Sequence, residues 1–373
     1  MKVRLPLLLL LLAFILASPV SANEALLTES SGSLALMDGD TTDIRMVSEE
    51  VIIELGTENY TVDATFEFIN EGDTVTVPVG FPNAGYGYFY SFRGVKTNET
   101  FQTWVNGEQS SFKDMPGYLR LQMPQSGAED IILTDPDTLN LAHSNLQKNI
   151  QPVEGISTLA LDEFRWLVKD VTFIGGETTV TRVRYTAEYG NFGHAEYIYG
   201  TGSSWKGSIG TARFIIKSSP ECWMLNVPTF SSDWGAGRTW VGERTGEFEH
   251  VYILTGLEPA EDEVMRLFVR YVGTKPDRDP WISHGEFIFA DSVVDNDFLD
   301  ILSFNQLSLF RDTISAVHGK IFDNPARDSY FKERLMYTPS SEFRESSLTD
   351  IDRENIQRID AKEQWLRELV DKK

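Results

Sequence analysis

Between residues 59 and 82 the chain alternates with a period of two, and this rhythm restricts its fold more than any other feature. In "NYTVDATFEFIN", Tyr60, Val62, Ala64, Phe66 and Phe68 fall on one face, with Thr61, Asp63, Thr65 and Glu67 on the other. "DTVTVPVGFP" repeats the pattern with Val75, Val77, Val79 and Phe81. Successive side chains of a strand point to opposite faces, so each run is a strand with one dry and one wet face. The polar "NEGD" at Asn70–Asp73 separates the runs and predicts an antiparallel hairpin. Further strands are expected at Val180–Tyr189, Ala212–Lys217, Val251–Leu254 and Val264–Tyr271. Many short strands without long helices between them predict an antiparallel β-sandwich. The segment Pro136–Phe164 departs from this, and its weak helical spacing reads as an inserted helix or a long loop.

Near residue 295 the period changes. Leu307, Phe310, Ile314 and Val317 or His318 recur at spacings of three and four, the signature of one helix face. Ser303 and Gln306 have capping-box spacing, and Gly319 can end the helix in the left-handed conformation. Asn324 and Pro325 read as a cap and first position of a second helix. Ser347 is the expected cap of a third, with Leu348, Ile351, Asn355 or Ile356, and Ile359 along one face. The expected organisation is multidomain. A signal peptide spans 1–22, an acidic β-rich sandwich region 23–275, a linker 276–302 and a small all-α domain 303–373.

The signal reading rests on order. Lys2 and Arg4 precede an apolar run from Leu5 to Leu16, and Val20-Ser21-Ala22 is a small-residue cleavage site. It predicts export to an extracellular, periplasmic or cell-surface location, with no transmembrane anchor after removal. Cys222 is the only cysteine and has apolar neighbours, so it reads as a buried thiol. Residues 23–302 carry 19 Lys/Arg against 43 Asp/Glu, whereas residues 303–373 carry 12 against 13. The acidic part repels nucleic acid and anionic polymers, which excludes nucleic-acid binding and leaves the near-neutral C-terminal part as the docking side for an anionic target.

The segment "LFRDTISAVHGKIFDNPARDSYFKERLMYTPSSEFRESSLTDIDRENIQRI", Leu307–Ile359, resembles the YARHG domain of exported bacterial proteins, an extracellular module without an established activity. Arg311 and Asp312 stand where the family has an Arg-Asn pair, and Ala316, His318 and Gly319 keep the end of its signature. Phe322, Tyr330, Phe331, Tyr337, Pro339, Phe343, Asn355 and Ile356 fall at the expected later positions. Ser315 replaces the signature tyrosine, Val317 its arginine and Met336 a usual tryptophan. More loosely, Phe66–Pro82 and Tyr199–Ile216 are similar to secreted bacterial β-rich domains of unknown function that accompany this module. The resemblance implies a bacterial source and transfers no catalytic residue.

His318 is expected to be a structural keystone. It follows Ile314 by four residues, on the face the helix buries, at a terminus whose dipole favours a cation. The other expected structural positions are Ala316, Gly319, Phe322, Phe331, Pro339 and Ile356. Arg311, Asp312, His318, Tyr330, Tyr337 and Asn355 are the candidate binding residues of the module, joined by Trp205 and Tyr88 of the β-rich part. "HAE" at His194–Glu196 and "HGE" at His284–Glu286 lack the two cysteines that a zinc deaminase needs. The carboxylate clusters at Asp38–Asp43 and Asp295–Asp300 suit calcium but lack the loop glycine and closing glutamate.

These features favour an exported, non-catalytic protein that binds an envelope component or another exported protein and needs no cofactor. Two other readings stay open. One is an envelope hydrolase or transferase whose carboxylates meet only in the fold; the other is a secreted cation-binding scaffold, with calcium as its ion.

Overall fold

Tyr60, Val62, Ala64, Phe66 and Phe68 are all buried, while the positions between them stay partly exposed. This computed structural model describes residues 24–372 apart from 31–32, 37–38, 88–99, 123–130, 134, 136, 139–140, 142–144, 146–159, 190–192, 227, 232–241, 261–262, 272–280, 284 and 336. In chain order the first strands are Ala25–Ser30 (β1), Ser33–Leu36 (β2), Ile44–Leu55 (β3), Asn59–Asn70 (β4) and Val75–Gly87 (β5). Gln102–Val105 (β6), Glu108–Ser110 (β7), Lys113–Gln122 (β8), Ile131–Leu133 (β9) and Ala160–Phe173 (β10) come next. Thr178–Glu188 (β11), His194–Ile198 (β12), Ile209–Lys217 (β13), Cys222–Met224 (β14) and Thr229–Ser231 (β15) follow. Gly242–Gly246 (β16), Glu249–Leu257 (β17), Val264–Tyr271 (β18), Ile282–Ser283 (β19) and Glu286–Phe287 (β20) complete the set.

Two large sheets form the body, in the orders β2-β1-β5-β10-β8-β9 and β16-β17-β13-β3-β4-β11-β6-β7. They face each other through aromatic pairs. Phe68 of β4 meets Phe173 of β10 edge-on at 5.6 Å, and Phe81 of β5 lies 5.0 Å from Tyr185 of β11. A smaller sheet joins β12, β18, β14 and β15. Among the described residues pairing is antiparallel, except that β13 runs parallel to β3.

The expected hairpin of β4 and β5 does not form, because the two strands belong to opposite sheets. Asn70–Asp73 is a corner between layers. The Asn70 amide nitrogen donates to Asp73 O at 2.7 Å and to Phe173 O at 2.9 Å, and its Oδ1 accepts from Gly72 N at 3.0 Å. The crossing from β10 to β11 lies beside it, where Gly176 N donates to Asn70 O at 2.8 Å. Each strand therefore presents its apolar face to the other sheet. Of Pro136–Phe164, read as an inserted helix or long loop, residues 160–164 belong to β10, and most of the rest lies outside the described residues.

The C-terminal part is helical, with Asn296–Asp300 (α1), Phe304–Val317 (α2), Pro325–Arg334 (α3) and Asp350–Asp371 (α4). Ser303 and Gln306 form the expected capping box, and Asn324 caps α3 with Pro325 at its first position. The last helix begins three residues beyond Ser347, which instead closes a 3-10 turn. Thr349 is its cap, because the buried Asp352 can reach back to the Thr349 backbone and complete a second box. Within the stretch read as a linker, Trp281 stacks on Phe310 at 5.2 Å and donates from Nε1 to Thr313 Oγ1 at 3.1 Å. Phe287, Val294, Leu299 and Leu302 are buried with it, so this stretch packs as core rather than tether. No helix among the described residues is long and apolar enough to cross a membrane.

Candidate functional site

The module's signature lies at the C-terminus of α2. Ser315 O accepts from His318 N at 3.2 Å and Lys320 N at 3.1 Å, and Ala316 O accepts from Gly319 N at 2.8 Å. Gly319 has φ +85°, and a Cβ there would sit 3.1 Å from Thr338 O, so the turn requires glycine. This places the His318 Nε2 2.8 Å from Asp352 Oδ2 at the start of α4. The same carboxylate oxygen accepts from Thr349 N at 2.8 Å and Thr349 Oγ1 at 2.7 Å. One carboxylate thus joins the end of one helix to the start of another, where opposite dipole ends favour an imidazole and an anion respectively.

Neighbouring signature residues are spent in the same way. Arg311 Nη1 donates to Asp360 Oδ1 at 2.6 Å and Glu363 Oε2 at 2.9 Å, fixing α2 to α4. Asp312 points the other way, to Arg327 Nε of α3 at 3.2 Å. Asn355 is fully buried; its Oδ1 accepts from Val294 N at 2.8 Å and its Nδ2 donates to Ser292 O at 3.0 Å. Tyr337 Oη donates to Lys320 O at 2.5 Å, and burial followed by the nearby Asp328 raises its pKa. Phe331 is buried against Phe322 at 4.9 Å and Tyr330 at 5.0 Å, with the Arg334 guanidinium over the Tyr330 ring. Ala316 is buried, Ile356 packs at the core's margin, and Pro339 is exposed.

Of the two altered positions that are described, Ser315 is buried and Val317 is exposed. A residue at 317 projects to solvent, so valine costs the helix little there. Met336 lies outside the described residues. His318→Ala is expected to lower stability by about 1–3 kcal/mol, since it removes a charge-assisted bond to a buried carboxylate. Chemical denaturation measures this, and an unchanged midpoint would return His318 to the candidate ligands.

Residues 288–364 match the YARHG domain. This YARHG module is C-terminal and follows a β-rich region, as the sequence implied. The match begins 19 residues before Leu307 and so takes in α1 and residues 288–295 before it, but not Trp281 or Phe287. No curated protein matches the chain. Among solved structures, a candidate nutrient-binding protein of Legionella pneumophila is similar at 16% identity and TM-score 0.43, covering 92% of this chain and 98% of that one. The M1 zinc metallopeptidase of Deinococcus radiodurans is similar at 10% identity and TM-score 0.27, covering 74% of this chain and 54% of the peptidase. The chain therefore spans about half the length of that peptidase.

In the β body the candidate residues fare differently. Trp205 is 1% exposed, so it offers no stacking surface; its ring packs 4.2 Å from Phe68 and its Nε1 donates to Glu24 O at 2.9 Å. Tyr88 and His284 lie outside the described residues. Cys222 is buried 3.5 Å from Tyr189 Oη, and burial raises its thiol pKa. His194 and Glu196 are both buried and come within 3.4 Å, and Arg266 Nε donates to the same Glu196 oxygen at 2.9 Å. Asp295 caps α1 through Phe298 N, and Asp300 pairs with Lys362, so both ends of that acidic cluster already have protein partners.

The sequence reading missed the joint between body and module. The hairpin β16–β17 grips the backbone between α1 and α2 at three points. Arg244 Nη1 donates to Leu302 O at 2.8 Å, His250 Nε2 meets Asp300 O at 2.8 Å, and Glu247 Oε1 accepts from Phe304 N at 3.3 Å. Arg244 also donates to Gly246 O at 3.0 Å and Glu247 O at 2.6 Å. Its partners are carbonyls close in chain or far away, and no spacing announces them.

Proposed function

We propose that the protein is exported and acts as a non-catalytic interaction protein of the cell envelope, docking through its YARHG module. The observation that supports this most is the commitment of the signature residues to bonds within the module. Arg311, Asp312, His318, Tyr337 and Asn355 hold helices and loops together, which leaves the outer face of α4 as the surface for a partner. There an open groove of about 650 Å³ is lined by Asn296, Asp350, Arg353, Glu354, Gln357, Arg358 and Ala361. Its mixed charges suit a polar polymer or peptide. The acidic body repels anionic envelope polymers, so the module faces them.

The test is co-sedimentation of the full chain with isolated bacterial envelopes. Truncation near residue 300 would open the core that Trp281 and Leu302 share with α2, so surface substitutions serve better. Wild type is expected to pellet with envelopes, and Arg353→Ala with Gln357→Ala to remain in solution while melting normally. Equal pelleting by both would move docking off the groove. No pelleting by wild type would remove the envelope reading.

A further inference from the structure

We infer that the joint between the β body and the YARHG module is an acid-opened latch, in which protonation of His250 releases the segment Asp300–Phe304 from the hairpin β16–β17. His250 is 4% exposed and stands where the hairpin meets the end of α1. Its Nε2 donates to Asp300 O at 2.8 Å, which fixes the neutral tautomer with a bare Nδ1. That Nδ1 is buried and has no hydrogen-bond partner among the described residues. A second proton would therefore create a buried N–H without an acceptor, together with a charge that lacks water.

The surroundings make that charge worse. Arg244 of β16 and Lys362 of α4 are cations acting on the ring, and among the described residues Asp300 of α1 opposes them. The Asp300 carboxylate is already paired with Lys362. Glu247, in the turn of the hairpin, faces Arg244 and the first amide of α2, and Tyr252 of β17 feels Asp300 and Asp297. Burial is the largest influence on His250, ahead of the bond to Asp300, and it holds the pKa to about 4, against an ordinary 6.5.

The sign follows from proton binding. The closed joint binds fewer protons at His250 than an opened one does, so closure is fully supported above pH about 6.5 and weakens as pH falls toward 4. That separation allows acid to shift the opening equilibrium by roughly 300-fold. β16 is an edge strand of the larger body sheet, with α4 packed beside it. Opening would bare its backbone edge, a surface that pairs readily with another strand.

Hydrogen exchange of the full chain, followed by mass spectrometry from pH 7.5 to 4, tests the latch. Wild type is expected to lose protection in peptides covering 242–250 and 299–305 together between pH 6.5 and 4, after correction for intrinsic rates. His250→Gln places a neutral amide donor near the same carbonyl and is expected to keep both protected. Equal loss in wild type and His250→Gln, or no loss in wild type, overturns the proposal. So does simultaneous loss in β4, which marks global unfolding. If His250→Gln does not fold, the ring carbon resonances of histidine in the wild type decide. A His250 that titrates near 6.5 in the closed protein overturns the latch, and one that stays neutral until opening supports it.

Discussion

Lys169→Met is expected to destabilise the folded protein by about 3–5 kcal/mol, the range for removing one partner of a buried ion pair. Lys169 lies between the two body sheets at 5% exposure, and Glu24 beside it at 1%. The ammonium donates to Glu24 Oε1 at 2.6 Å, to Thr103 Oγ1 at 2.5 Å and to Trp104 O at 3.4 Å. Thr181 Oγ1 donates to the other carboxylate oxygen. Methionine fills a similar volume, so little of the loss comes from packing; the carboxylate is left buried with the Thr181 hydroxyl but no cation. The double variant Glu24→Gln with Lys169→Met should recover most of the stability, since it removes both charges together. Urea denaturation measures each value. A single variant that loses under about 1 kcal/mol would mean that water reaches the pair, against its burial.

Lys169 is legible in the sequence as a charge in phase with apolar residues. A period of two places it with Leu167, Val171 and Phe173, all of which are buried. Glu49 is another case, in phase with Val51, Ile53 and Leu55 and equally buried. Charges on a dry face mark interior polar networks, and binary patterning shows them as exceptions. The strands themselves, the two caps at Ser303 and Asn324 and the turn at Gly319 are local, and they were legible for that reason. Strand partners are not local. The same alternation in β4 and β5 suits a hairpin or two facing sheets, and what chose the corner was Asn70 binding Phe173 O, 103 residues away. The parallel pairing of β3 with β13 is equally remote, with Thr211 opposite Ser48. In the module, the spacing of Ile314 and His318 placed the imidazole on the buried face, but its partner Asp352 came only from the packing of α4 on α2. The hairpin that grips Asp300–Phe304 left no trace at all, because it binds main-chain atoms that every sequence has.

Trp205→Ala should cost about 3–5 kcal/mol, as for other fully buried aromatic side chains. The indole fills the space between Phe68 and Phe173, at 4.2 and 6.0 Å from their rings. Truncation also leaves Glu24 O without its Nε1 donor, inside the body. A ligand-stacking tryptophan would give the opposite result, an unchanged denaturation midpoint with binding lost. Trp205 holds the Glu24 carbonyl while Lys169 holds the Glu24 carboxylate, so the two substitutions act on one residue from both ends. Their effects should therefore not add. Once Trp205→Ala has loosened the segment that begins β1, Glu24 can reach water, and losing Lys169 then matters less. The double variant should fall short of the summed losses by about 0.5–3 kcal/mol, the range found for residues that share a partner. Strict additivity would mean that each side chain acts independently, and that Glu24 does not connect them.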